Sequence, residues 1–164
     1  MNIIIGNVLG LMASLAMVYS GIVKEKKKIL YVQSIQILLF ALCDFVLGGI
    51  VGAIINLINL IRNILCYNDK LDIKKIIIIT IVSIAFSLYF NNLGFIGLMP
   101  LISSVLYLCF MNVKDVRKFK LLIIIVTLLW LIYDFYIKAY TSSIFDFLTV
   151  CTNIYSLFKL RKNR

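Results

Sequence analysis

Charged residues in this chain fall in short clusters, and the stretches between clusters are apolar for the ~20 residues that a helix needs to cross a hydrocarbon core. Cutting at the clusters and polar turns predicts seven spans: 2–23, 29–49, 50–67, 73–90, 92–112, 119–139 and 142–160. They use most of the 164 residues, so no soluble domain remains. The run Ile76-Ile77-Ile78-Ile79 has strand propensity. In lipid an open strand would leave backbone groups unpaired, so a helix is expected there as well. Composition agrees: 63% of residues are hydrophobic, 15% are charged and mean hydropathy is +1.06. Soluble domains run nearer ~45–50% apolar and ~25% charged. The expected fold class is an all-α membrane protein, which excludes a disordered chain, a collagen-like repeat and a disulfide scaffold. Histidine is absent, so imidazole general-base chemistry and His-ligated zinc are excluded too. No cofactor is expected.

The basic residues sort by loop. Lys24, Lys26, Lys27 and Lys28 follow span one, and Lys70, Lys74 and Lys75 follow span three. Lys114, Arg117, Lys118 and Lys120 follow span five, while Lys159, Arg161, Lys162 and Arg164 end the chain. The alternate loops, Gly48-Gly49, Asn91-Asn92 and 138–143, hold only Lys138. Fifteen basic residues against one predict an outside N-terminus and a cytoplasmic C-terminus by the positive-inside rule. The net charge of +10 then reflects insertion and contact with the lipid bilayer's anionic headgroups. No nucleic-acid partner is expected, because no soluble basic module exists. A cleaved signal peptide is excluded, since its charges would precede the apolar run. Cys43, Cys66, Cys109 and Cys151 lie inside spans without C-x-x-C spacing and read as small packing residues.

An internal repeat accounts for the odd span count. Sliding the chain by 90 residues lays 2–74 on 92–164 with fourteen identities, among them Asn2/Asn92, Lys24/Lys114, Asp44/Asp134, Phe45/Phe135 and Asn63/Asn153. The apolar matches carry little in so Ile- and Leu-rich a chain. The polar ones weigh more, because polar residues inside spans are rare. Residues 1–72 and 92–164 are thus expected to form two parallel three-helix repeats, with 73–91 as the linker span that returns the chain to the starting side. Thr80, Ser83 and Ser87 in the linker read as helix-packing residues. Parallel repeats place a site at their interface near the midplane.

Polar residues within the spans must face protein or a wet cavity. Asn56, Asn59, Asn63 and Cys66 follow one helix face, and the equivalent positions are Asp146, Thr149, Asn153 and Ser156. In span two Gln33, Gln36, Phe40 and Asp44 share a face, matched in span six by Ile123, Val126, Trp130 and Asp134. Spans one and five add Asn7, Gly10 and Ser14 beside Gly97, Pro100 and Ser104. Interhelical hydrogen bonding is the competing explanation for such stripes. Corresponding stripes in both repeats favour a cavity, and its amides suit a hydroxylated or amide-bearing solute. Asp44 and Asp134 fit either that cavity or anchoring at the outer boundary, with Asp134 paired to Lys138 one turn away. Arg62 reads as a snorkelling residue or a counter-charge, able to meet Asp146 only if the two bundles touch. Pro100 is expected to kink span five, and Gly10 sits at the same place in span one. Together they would permit gating between bundles.

The arrangement of three, one and three spans resembles the SWEET and PnuC-type transporter fold. Leu129-Trp130-Leu131-Ile132-Tyr133-Asp134 resembles the Trp-containing sixth helix of SWEET facilitators, and Asn153 lies where those proteins carry a pocket Asn. The resemblance implies solute contact by Trp130 and Asn153, with Phe40 and Asn63 or Asn59 as partners. Over nearly its whole length the chain is similar to the YgjV-like bacterial inner-membrane family, through Asn59-Leu60-Ile61-Arg62, Leu47-Gly48, Met99-Pro100 and Asn153-Ile154. That resemblance implies a multi-pass protein of the bacterial inner membrane. Cys43 departs from the family by standing where a His is frequent, so no imidazole carries protons there.

Three functions follow as expectations. The first is a transporter or facilitator of a small polar solute (sugar-, nucleoside- or vitamin-like) through a pocket of Asn59, Asn63, Trp130, Asn153, Phe40, Asn56, Asp146 and Arg62, gated at Pro100 and Gly10. The second is a non-transporting scaffold or partner subunit with a dry interface. The third is an intramembrane aspartyl hydrolase using Asp44 and Asp134, for which a Gly-x-Gly-Asp element is missing. An enzyme is not the expected outcome, and assembly with further copies stays open.

Overall fold

A computed structural model describes residues 2–22, 26–110 and 116–162. Lys24, Lys114 and Arg164 of the basic clusters lie outside them. All regular structure among the described residues is helical. α1 is Asn2–Ile22, α2 Lys26–Val46, α3 Ile50–Tyr67 and α4 Ile73–Phe90. α5 is the single turn Gly94–Gly97, followed by α6 Met99–Phe110, α7 Val116–Tyr136 and α8 Tyr140–Lys162. The strand propensity of Ile76–Ile79 is overridden, since these residues lie inside α4.

Three helices carry an unbroken apolar stretch of membrane-spanning length among the described residues: Asn2–Tyr19, Ile50–Tyr67 and Ile73–Phe90. Leu30–Val46 and Gly94–Cys109 are shorter apolar stretches, because lysines open α2 and a break divides the fifth span. Large apolar side chains cover the outside, from Ile4 on α1 to Tyr89 on α4 and Phe135 on α7. So large an exposed apolar surface is what a lipid-facing protein presents.

Several boundaries differ from expectation, each for a local reason. α2 and α7 stop three residues earlier than predicted, because a tight turn follows each. At the first turn Leu47 N–H donates to Cys43, Gly48 N–H to Phe45 and Gly49 N–H to Asp44. At the second, Ile137 N–H donates to Tyr133, Lys138 N–H to Phe135 and Ala139 N–H to Asp134. Each donor and acceptor stands 90 positions from its counterpart. Gly48 (φ 81°) and Lys138 (φ 66°) occupy the same left-handed position in the two turns. Glycine takes that conformation freely, whereas lysine is strained by its Cβ.

The fifth span is not one kinked helix. It breaks at Leu98, and Pro100 stands in the first turn of α6, where its missing N–H costs nothing. α1 by contrast runs unbroken through Gly10. A Cβ at Gly10 would lie 2.8 Å from Ser142 Oγ and 2.9 Å from Thr141 Oγ1, so this glycine permits a close helix crossing and not a break. The expected pair of matched weak points is therefore absent from α1. Of the cysteines only Cys43 is buried; Cys109 and Cys151 are exposed, against the packing role expected of them.

Helices adjacent in sequence pack together, α1 on α2 on α3 and α6 on α7 on α8. The two sets meet where α1 touches α8 and α3 touches α6, while α4 lies against α3 and α6. Ser83 and Ser87, one turn apart, are the buried positions of α4 and let it approach closely. One core cluster gathers Cys43, Met99, Tyr133, Ile137 and Ala139, and a second gathers Val51, Ile55 and Leu101. Trp130 packs against both.

Candidate functional site

A cavity of about 320 Å³ lies between the two sets of helices. Met17 of α1, Gln36, Ile37, Phe40 and Asp44 of α2, and Asn56, Asn59 and Arg62 of α3 form one wall. Ser103, Ser104 and Tyr107 of α6, Ile123, Val126, Thr127, Trp130 and Asp134 of α7, and Asp146 of α8 form the other. The helical period puts these side chains on common faces: 36, 40 and 44 on α2, and 123, 126, 130 and 134 on α7.

A layer of contacts between the helices borders the cavity at Asp44 and Trp130. Tyr133, fully buried, reaches from α7 to the first turn of α3, where its hydroxyl accepts the Gly52 N–H at 2.9 Å. That N–H is one of the four a helix start leaves without an intrahelical partner. The contact needs glycine: a Cβ at Gly52 would lie 2.5 Å from the Tyr133 hydroxyl and 2.7 Å from Asp44 Oδ2. Trp130 meets the Tyr133 ring edge-on, with centroids 5.8 Å apart. A reciprocal brace joins α1 to α8. Asn7 Oδ1 accepts the Thr141 N–H at 3.0 Å, and the Thr141 hydroxyl donates to the Asn7 carbonyl at 2.8 Å. Asn7 Nδ2 also donates to the strained Lys138 carbonyl at 3.0 Å. A second depression is lined by residues that include Asn2, Leu47, Leu93, Tyr136 and Ile137.

Carboxyl groups line the cavity beside this layer. Asp44, 2% exposed, accepts from Asn56 Nδ2 at 2.9 Å. Asp134, 5% exposed, receives no hydrogen bond among the described residues, and Asp146 is half-buried on the same cavity. The expected Asp134–Lys138 ion pair does not form, since Lys138 is exposed in the turn while Asp134 faces inward. Asp44 and Asp134 are both buried and both line the cavity. Toward the lysine-bearing ends of the helices, the Arg62 guanidinium lies 5.9 Å from the centre of the Tyr107 ring. It forms no ion pair with Asp146, although both line the one cavity. Between these ends Ser104 Oγ donates to Asn59 Oδ1 at 3.2 Å, across the two halves.

Of the residues predicted for a site, Phe40, Asn56, Asn59, Arg62, Trp130 and Asp146 come together on this cavity. Asn63 and Asn153 do not. Asn63 is buried against α2, donating to the Leu30 carbonyl at 3.4 Å, and Asn153 turns back on its own helix to the Thr149 carbonyl at 2.8 Å. Ser103, Tyr107 and Thr127 line the cavity without having been singled out in the sequence. Pro100, Ser104 and Tyr107 share the i, i+4, i+7 spacing that would have pointed to Tyr107. No cluster of acidic or cysteine side chains among the described residues converges closely enough to hold a metal ion.

The family model Imp-YgjV, described as a bacterial inner membrane protein, matches residues 4–164. No curated protein and no solved structure is significantly similar to the chain. The chain belongs to the Imp-YgjV family of bacterial inner membrane proteins.

Proposed function

We propose that this protein is a non-enzymatic transporter or facilitator that moves a small polar solute, sugar-, nucleoside- or vitamin-like, across the bacterial inner membrane. Its two three-helix repeats, 1–72 and 92–164, stand parallel as in the SWEET-like arrangement, with 73–91 as linker. The N-terminus is outside and the C-terminus cytoplasmic, so the cavity faces the cytoplasm and the Tyr133 layer closes the outer side. The observation that carries this reading is the cavity itself: a hollow with walls from both halves, in which Asn56, Asn59, Arg62, Asp134 and Asp146 stand among apolar side chains, beside a layer of cross-bracing between the halves. A scaffold would gain nothing from leaving Asp134 buried without a hydrogen bond, because such groups are costly in a membrane. A solute-binding pocket uses them.

In this mechanism solute enters beside Arg62 and Tyr107 and settles against Asn59, Trp130 and Phe40, with Asn56 and Asp146 below. Opening of the outer side requires Tyr133 to leave the start of α3 and Asn7 to leave the start of α8. Both contacts consist of hydrogen bonds worth about 1 kcal/mol each, which suits a gate that breaks and re-forms. The break at Leu98 supplies the flexible point, and Pro100 starts α6 just beyond it. Gly10 acts as the close crossing over which α8 slides.

The test is counterflow in proteoliposomes with labelled sugars, nucleosides and vitamins. The expected result is exchange of at least one solute that Trp130→Ala or Asn59→Leu reduces about tenfold or more, while a lipid-facing control such as Ile4→Ala leaves it unchanged. Exchange indifferent to both pocket substitutions overturns the pocket, and absence of exchange overturns the transport reading.

A further inference from the structure

We infer that the cavity takes a dipolar solute, one carrying a cationic and an anionic group, with the cationic group against the acids and the anionic group against Arg62. This deepens the transport reading and rests on it. Buried ionisable groups are ordinarily paired with one another, neutralised by a proton or met by a ligand, because removing an ion from water is expensive. Neither end of this cavity pairs its ionisable groups with each other among the described residues. Asp134 is 5% exposed and lines the cavity with no hydrogen bond among the described residues. Asp146 lines it as well, without an ion pair. Arg62 lines the same cavity and touches the Tyr107 ring, yet forms no ion pair with either acid.

The separation is built into the helices. Asn56 holds the Asp44 carboxyl, and Arg62 stands six residues further along α3, an axial offset of about 9 Å. A chain that needed the arginine only to neutralise the acids would bring the two together. Here the acids and the base instead face a common hollow from different depths. A bare metal ion does not suit the acids, which do not converge into a ligand set. An ammonium-type group answers them better, because it needs donors directed at separate oxygens and not a coordination shell. A guanidinium at the far end matches a carboxylate or phosphate in the two-pronged geometry that lysine cannot offer.

Binding is measured by titration calorimetry on the full chain in nanodiscs, with a ladder of ω-amino acids and matched single-charge probes. 6-Aminohexanoate is compared with hexylamine, with hexanoate and with its shorter and longer homologues. The expected result is that one ω-amino acid of the ladder binds about tenfold or more tightly than the amine or the acid of equal length. Arg62→Gln should then lower its affinity to that of the amine without weakening the amine itself. Asp134→Asn should lower it to that of the carboxylate. Equal binding of amine and amino acid, no dependence on chain length, or no binding by any probe overturns the dipolar site. The wild-type ladder decides the matter even if the Asp134 variant fails to fold. Counterflow of a neutral solute that remains sensitive to Trp130→Ala would leave the transport reading standing while this inference fell.

Discussion

The Tyr133 hydroxyl accepts the Gly52 N–H at 2.9 Å across 81 residues of sequence, and the backbone it meets has no side chain to keep it away. A methyl group at Gly52 would stand 2.5 Å from that hydroxyl, and one at Gly49 would meet the same hydroxyl, so either must push α7 from α3. Gly52→Ala is expected to destabilise the protein by about 1–3 kcal/mol, the range for overpacking a closely fitted contact. Tyr133→Phe, which removes the hydroxyl, should cost about 1 kcal/mol and reduce the penalty of Gly52→Ala in the double variant. Thermal melts in detergent check both. Additive effects in the double variant would show that the two residues do not act on one contact.

Lys138 occupies with φ 66° the left-handed position that glycine fills at residue 48 in the equivalent turn. Relief of its Cβ strain predicts that Lys138→Gly stabilises the protein by about 1 kcal/mol. The Asn7 side-chain amide donates to the backbone carbonyl of residue 138, so this bond survives the change. A melting temperature that falls would show that the lysine side chain contributes more than its backbone costs.

Trp130 and Asn153 separate the cavity account from a reading based on the polar stripe alone. Trp130→Ala should abolish most solute exchange, whereas Asn153→Leu should leave it within about twofold of wild type, because Asn153 is satisfied by Thr149 on its own helix. Counterflow rates normalised to reconstituted protein give the comparison. Equal loss in both variants would return Asn153 to the site.

Much of this was legible in the sequence, and the failures have definite causes. Apolar runs between charges located the helices, and the equivalence of Asp44 with Asp134 located the acid end. Helical phase alone put Phe40, Asn59 and Trp130 on inward faces. The same phase argument failed for Asn63, which stands about 20° from Asn56 in projection but two turns further along α3. At that depth the near neighbour is Leu30 of α2 and not the cavity. Phase gives direction about an axis; it does not say which element lies there. Tyr133 was passed over because its partner is backbone, and its repeat equivalent, Cys43, gives no hint of a hydroxyl. Gly49-x-x-Gly52 was the available sign, a pair of missing side chains opposite a large one.

Asp72 begins α4 outside the apolar span, with Oδ1 accepting the Lys75 N–H at 2.9 Å and Oδ2 paired with the Lys75 ammonium at 2.9 Å. The backbone N–H of Lys75, followed by its side chain, holds this carboxyl below the usual range. A depressed folded-state value means the contribution is complete above the unfolded value near ~4 and is lost as pH falls through the folded one. The stability difference between wild type and Asp72→Ala should therefore be constant from about pH 7 to pH 5 and shrink below about pH 4. Melts across that range measure it. A difference that persists unchanged in acid would mean the capping carboxylate is not its source.

A hollow that conducts solute between the two halves must hold water and be reached from the lysine-rich face. In a variant with its native cysteines replaced, Thr127→Cys lies on the cavity wall and Ile125→Cys, at a position 50% exposed on the outside of the same helix, faces lipid. A membrane-impermeant maleimide needs thiolate, which forms in water and not in hydrocarbon. Applied to inverted membrane vesicles, it is expected to modify Thr127→Cys readily and leave Ile125→Cys untouched. Modification of Ile125→Cys with Thr127→Cys inert from either face would contradict the account.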